Sequence, residues 1–113
     1  ISGDDMLTIP MISIGCEGVI SVLANGYPEE FVKMIHAAID GDFKAATPSL
    51  CSFAGINEML YEESNPVGIK EVLKNRGICE SYVRLPLMEA SELLAERITA
   101  EHQVIEEYFS LSK

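Results

Sequence analysis

The chain has 113 residues, 48% of them hydrophobic, with 18 acidic against 8 basic side chains and a formal net charge of −10. That balance disfavours nucleic acid and anionic membrane surfaces, both of which demand a basic face, and no run of about 18 apolar residues is present to span a bilayer. The length and composition suit a soluble globular domain with a thin stability margin.

Ile1-Ser2 reads as the last residues of a strand and Gly3-Asp4-Asp5 as the loop at its C-terminal end, the end where α/β folds gather their chemistry. Met6, Leu7, Ile9 and Met11 predict a short helix between Asp5 and Ile14, entered through an Asp5 cap, with Pro10 inside it and Gly15 as its stop. Gly18 to Gly26, GVISVLANG, carries the strongest strand signal. Its apolar run of Val19, Ile20, Val22 and Leu23 fits a strand buried on both faces of a parallel sheet.

Pro28-Glu29-Glu30 predicts a helix start, with proline in the first turn and acids at the positive end of the dipole. Phe31, Met34, Ile35, Ala38 and Ile39 continue it at helical spacing, and Gly41 ends it. Asp42 to Tyr61 predicts another helix, with Phe43, Ala46, Leu50, Phe53, Ala54 and Leu60 near one face. Pro48 and Gly55 should kink it or break it in two. Asn65-Pro66 reads as a cap followed by a first-turn proline, with Val67, Ile69, Val72 and Leu73 behind it and Gly77 past the end. Arg84 to Leu87, RLPL, is expected to be extended, because Pro86 disfavours the α conformation at Leu85. Ser91 caps a last helix through about Ser110 whose apolar face is Leu94, Ile98, Ile105, Tyr108 and Phe109. The order is β-α-β-α, then helices only.

Few of these residues announce chemistry. Cys16, Cys51 and Cys79 are odd in number and lack the close pairs of a zinc site, which predicts half-buried free thiols in a reducing cytosol. His36 and His102 have no partner at metal spacing and read as surface histidines. Asp4 and Asp5 would point to different sides of an extended chain, with no third ligand placed, so no metal is expected and Asp5 reads as a helix cap. Gly15, Gly18 and Gly26 form no phosphate-loop or dinucleotide pattern. Lys33, Lys44, Lys70 and Lys74 fall on helices rather than at strand ends, whereas a Schiff-base lysine wants a desolvated pocket.

An ordered set of short stretches carries more. These are SGDD at Ser2–Asp5, GVISV followed by AN at Gly18–Asn25, GDF at Gly41–Phe43, NP at Asn65-Pro66 with Lys70 four residues later, and RLPL at Arg84–Leu87. In order and spacing the chain resembles, over nearly its whole length, the C-terminal part of the dihydrodipicolinate synthase family. The family fold is a (β/α)8 barrel with a C-terminal helical extension, and such a barrel takes about 250 residues. The resemblance therefore implies a mostly α fragment. Residues 1–41 would run from the end of strand 7 through helix 8, and residues 42–113 would form the helical extension. The start at Ile1 would follow from a barrel lying upstream.

The function so implied is a cytoplasmic, homo-oligomeric lyase. It condenses pyruvate with aspartate semialdehyde through a Schiff base, in lysine and diaminopimelate synthesis, and uses no cofactor. In that family the Schiff-base lysine, the proton-relaying tyrosines and the arginine that binds the aldehyde's carboxylate all lie upstream, so the fragment itself is expected to be inactive. What transfers is a stretch of pocket wall. Gly3 and Asp4 match the strand-7 loop, Ile20 matches the strand-8 residue whose backbone carbonyl faces the substrate, and Ser2, Asp5 and Asn25 match supporting positions. NPVGIK departs from the commoner NPIPVK, with Gly68 where a proline is usual. Two other readings stand beside this one: a non-catalytic helical oligomerisation module, and the end of another pyruvate-dependent aldolase such as N-acetylneuraminate lyase.

Overall fold

The computed structural model describes residues 1–112. They form seven helices in two compact units, Ile1–Ala54 and a second that begins at Gly55. None of the helices is long and apolar enough to cross a membrane.

The first unit is built on α3, Pro28–Ile39. Pro28 occupies its first turn with Glu29 and Glu30 behind it, and Phe31, Met34, Ile35 and Ala38 are buried at the expected spacing. Gly41 follows at φ +84°, where a side chain would be strained. Asp42 then caps α4, Phe43–Ser52, its Oδ1 accepting the Ala45 amide at 3.0 Å. The helices α3 and α4 pack on each other around Ala46 and around Phe53, whose ring centroid lies 5.3 Å from Tyr27 and 6.2 Å from Phe31. The two-piece expectation for 42–61 holds, because α5 runs separately over Ala54–Glu62. The break is not at the expected residues. Pro48 lies inside α4 and Gly55 inside α5. The interruption falls at Phe53, whose amide bonds the Leu50 carbonyl in a tightened turn at 3.1 Å while its ring enters the core.

Three expectations for residues 1–27 are corrected. The strand over Gly18–Gly26 is reduced to one parallel bridge between Ser2 and Val19, and Leu23–Gly26 is a single helical turn, α2. The bridge is the only pairing this segment finds among the described residues, and the Val22 and Leu23 amides are taken by Asp5 instead of by a ladder. The expected burial of the run holds in full only at Leu23, with Val19 and Val22 half-buried, and fails at Ile20, whose side chain is 78% exposed. The helix α1 is shorter than expected, Thr8–Ser13, and Asp5 does not cap it. Leu7 is its N-cap and has no capping side-chain bond, while Asp4 Oδ1 accepts the Leu7 amide at 3.0 Å.

In the second unit α6, Val67–Asn75, buries Val67, Gly68, Ile69 and Val72 and packs on α7, Glu92–Leu111. Asn65 does not cap α6. Pro66 is the N-cap, after a cis peptide, and no side chain bonds there. Arg84–Leu87 is a turn rather than extended chain, closed by the Leu87 amide on the Arg84 carbonyl at 3.1 Å, with a cis Pro86 in the third position. On α7 the expected face is buried at Leu94, Ile98 and Ile105, whereas Tyr108 is exposed and Phe109 half-buried. Cys16 is half-buried as expected, but Cys51 and Cys79 are exposed. His36 is exposed, while His102 is half-buried and burial pushes its pKa below the ordinary value.

The start of α7 is held twice over. Ser91 Oγ accepts the Leu94 amide at 3.3 Å. The Ser91 amide and hydroxyl donate to the two oxygens of Glu63 at 2.9 and 2.6 Å. Those bonds, the hydroxyl's first, hold the Glu63 carboxyl below the usual range. A carboxylate whose folded pKa lies below its unfolded one stabilises the fold fully above the unfolded value, roughly 4.3. It loses that contribution as the pH falls through the lowered value. Glu63→Gln should therefore flatten the dependence of stability on pH below about 5 in acid titrations of the melting temperature. An unchanged slope would remove Glu63 as its source.

Candidate functional site

The bridge brings the two sequence-nominated segments together. The Ser2 amide donates to the Gly18 carbonyl at 2.8 Å, and the Ile20 amide donates to the Ser2 carbonyl at 3.0 Å. Two parallel segments thus end side by side, with Gly3 and Asp4 following one and Ile20 at the tip of the other. Gly3 is exposed, and a Cβ built on it would meet nothing within 4 Å. Asp4 is exposed and its side chain serves the turn into α1 through Leu7. No donor among the described residues is bonded to the Ile20 carbonyl. That oxygen is available to a donor from outside, and an acceptor beside an open glycine is suited to a small hydrogen-bonding molecule.

The loop that carries Gly3 is held by its own hydroxyl. Ser2 Oγ donates to the Asp4 carbonyl at 3.1 Å and accepts the Asp4 amide at 3.2 Å. Asn25 Nδ2 donates to the Ser21 and Val22 carbonyls at 3.2 Å each. Ser2 and Asn25 are therefore supports of this corner. Asp5 is the residue whose role the sequence concealed. It is not the cap of the following helix: its Oδ2 accepts the Val22 and Leu23 amides at 3.1 and 2.9 Å, seventeen and eighteen positions along the chain, where α2 begins. No local signal reports a partner at that distance.

A cavity of about 300 Å³ opens elsewhere in the first unit, between Gly18–Val19 and α3, with Phe31, Ile35 and His36 in its wall. Gly3, Asp4 and Ile20 are not part of it. Among the described residues no group of three or more His, Cys, Asp or Glu is placed to hold a metal ion. Every described lysine, Lys33, Lys44, Lys70 and Lys74, lies on a helix, away from the Gly3–Ile20 corner in sequence and in secondary structure. The corner can bind and orient, but none of the described lysines lies on either of its segments.

Two parallel chain ends, each running into a helix, with helices alone after them, are the C-terminal portion of a (β/α)8 barrel protein. The chain belongs to the dihydrodipicolinate synthetase family, whose model matches residues 1–104. It is 50% identical over 109 residues to the 4-hydroxy-tetrahydrodipicolinate synthase of Cytophaga hutchinsonii, covering 96% of this chain and 37% of that protein. The solved 4-hydroxy-tetrahydrodipicolinate synthase of Methylacidiphilum fumariolicum SolV superposes with a TM-score of 0.90 at 28% identity, over 97% of this chain and 37% of that one. The chloride-inhibited dihydrodipicolinate synthase of Acinetobacter baumannii, complexed with pyruvate, does so with a TM-score of 0.87 at 30% identity, over 93% and 36%. The chain spans about a third of the length of these relatives.

Proposed function

We propose that this chain is part of a 4-hydroxy-tetrahydrodipicolinate synthase, a lyase that joins pyruvate to aspartate semialdehyde. A lysine amine outside residues 1–113 attacks the pyruvate ketone and expels water to give the imine. Loss of a methyl proton gives the enamine, whose carbon attacks the aldehyde. Residues 1–41 close the barrel and residues 42–113 form the helical extension. Gly3, Asp4 and Ile20 form one wall of the pocket, and the chain by itself is inactive. The whole enzyme is a cytoplasmic homo-oligomer of the lysine and diaminopimelate route.

The observation that carries this reading is the Ser2–Val19 bridge, which brings Gly3, open at its Cβ, and Ile20, whose carbonyl no described residue bonds, to the ends of two neighbouring parallel segments. The identity of 50% to the Cytophaga hutchinsonii relative and the pyruvate in the Acinetobacter baumannii one support it. The test is steady-state condensation by the full-length enzyme. Gly3→Val should cut kcat/KM at least 100-fold, because an added isopropyl group fills space the substrate needs and a displacement of about 1 Å costs that much. Ile20→Ala should cost less than about threefold, since its contact is through the backbone. Gly3→Val with full activity, together with an inactive Asp4→Asn, would overturn the assignment.

A further inference from the structure

We infer that Asp5 is the positioning residue that fixes the Ile20 carbonyl relative to Gly3, an inference that rests on the function proposed above. Asp5 is 3% exposed, and a buried carboxylate is costly unless it is bonded. One oxygen, Oδ2, takes the Val22 and Leu23 amides as charge-assisted hydrogen bonds. The other, Oδ1, is buried with no partner. The first turn of α2 already has a local cap, since Ser21 Oγ accepts the Ala24 amide, so capping alone does not account for bonds from a residue seventeen and eighteen positions away.

What the carboxylate adds is a second anchor on the segment that carries Ile20. The Ile20 amide is tied to the Ser2 carbonyl at 3.0 Å. The next fixed points are Val22 and Leu23, tied to Asp5. Only Ser21 lies between, and its own hydroxyl accepts the Ala24 amide at 2.9 Å. The peptide unit bearing the Ile20 carbonyl is planar, so bracketing it on both sides fixes where its oxygen points. Both anchors, Ser2 and Asp5, stand on the same loop as Gly3 and Asp4, and that loop is tied internally through Ser2 Oγ. Glycine and carbonyl are thereby held in one frame. With Asp5 removed, the Ser2 bond alone would tie this segment to the loop that carries Gly3.

The test uses the full-length enzyme with pyruvate as probe and two readouts. These are hydrogen exchange at the Val22 and Leu23 amides, and the rate at which borohydride traps the imine at saturating pyruvate. Asp5→Ala should speed exchange at both amides at least tenfold and slow trapping by a similar factor. Asp5→Asn keeps one accepting oxygen, so it should restore protection and bring trapping back to within about threefold of the parent. Variants that fold and lose the protection yet trap pyruvate at the parent rate would overturn the inference. If Asp5→Ala fails to fold, Asp5→Asn decides alone: intact protection with trapping as slow as tenfold below the parent would mean that charge, not position, is what Asp5 supplies, and would overturn it equally. A parent enzyme that forms no pyruvate adduct, with amide protection still dependent on Asp5, would instead sink the proposed function and the catalytic part of this inference with it.

Discussion

Gly68→Ala should destabilise the chain by about 3 kcal/mol, the upper end of the usual cost of overpacking, and lower its melting temperature by roughly 10–20 °C. A Cβ on Gly68 would lie 2.5 Å from the Leu60 Cα, 2.8 Å from its carbonyl oxygen and 2.9 Å from its carbonyl carbon. These are backbone atoms of α5, and no side chain can swing aside to make room. Relief requires α6 to move bodily, and α6 carries the buried Val67, Ile69 and Val72 and packs on α7. Of the residues that could stand here, only glycine fits this approach. Gly55→Ala is the control. Its Cβ would meet Glu101 Oε1 at 2.5 Å, but that is the free end of a flexible side chain, which can swing aside, and Gly55 lies in the first turn of α5. Melts of the two variants should differ in sign or at least severalfold. Equal, small shifts would mean that α5 and α6 do not approach as described.

Phe53→Ala should be the most damaging truncation in the first unit, at about 3–5 kcal/mol. The ring is fully buried between Tyr27 and Phe31, and the turn that carries it ends α4. A unit the size of Ile1–Ala54 has a total stability of roughly 3–8 kcal/mol at ordinary values per residue, so losing this ring consumes most of it. Denaturant melts, with near-ultraviolet circular dichroism reporting the Tyr27 environment, should show the first unit unfolded or nearly so. A loss below about 1 kcal/mol would show that Phe53 is not the centre of that core.

The helices were legible because their signals are local. Pro28 with two acids, Gly41 at positive φ, Asp42 and Ser91 as caps, and buried residues at i, i+3 and i+4 all act within one or two turns. The errors fall where the deciding partner is remote or missing. GVISVLANG has the composition of a doubly buried strand, yet a strand needs neighbours, and among the described residues only Ser2 supplies one. Ile20, apolar in pattern, is 78% exposed among the described residues. The expected Asp5 cap fails, because the amides it serves, Val22 and Leu23, are reached through folding and not through adjacency. Asn65 failed as a cap because Pro66 itself takes the N-cap place. Gly3, Asp4 and Ile20 were nominated by resemblance alone. Composition and periodicity carry no signal for the pocket wall proposed here, a bare glycine and a backbone carbonyl.

The central claim is that this chain supplies a wall of the pyruvate pocket and not the reacting amine. Borohydride trapping with pyruvate, read by intact mass and peptide mapping, tests it most directly. The chain alone should keep its mass, because Lys33, Lys44 and Lys74 are exposed on helices, Lys70 is half-buried on α6, and none stands at a strand end. The full-length enzyme should gain one reduced pyruvate adduct per chain, on a lysine outside residues 1–113. A stoichiometric adduct on any lysine of this chain, or no adduct on the full-length enzyme, would contradict it.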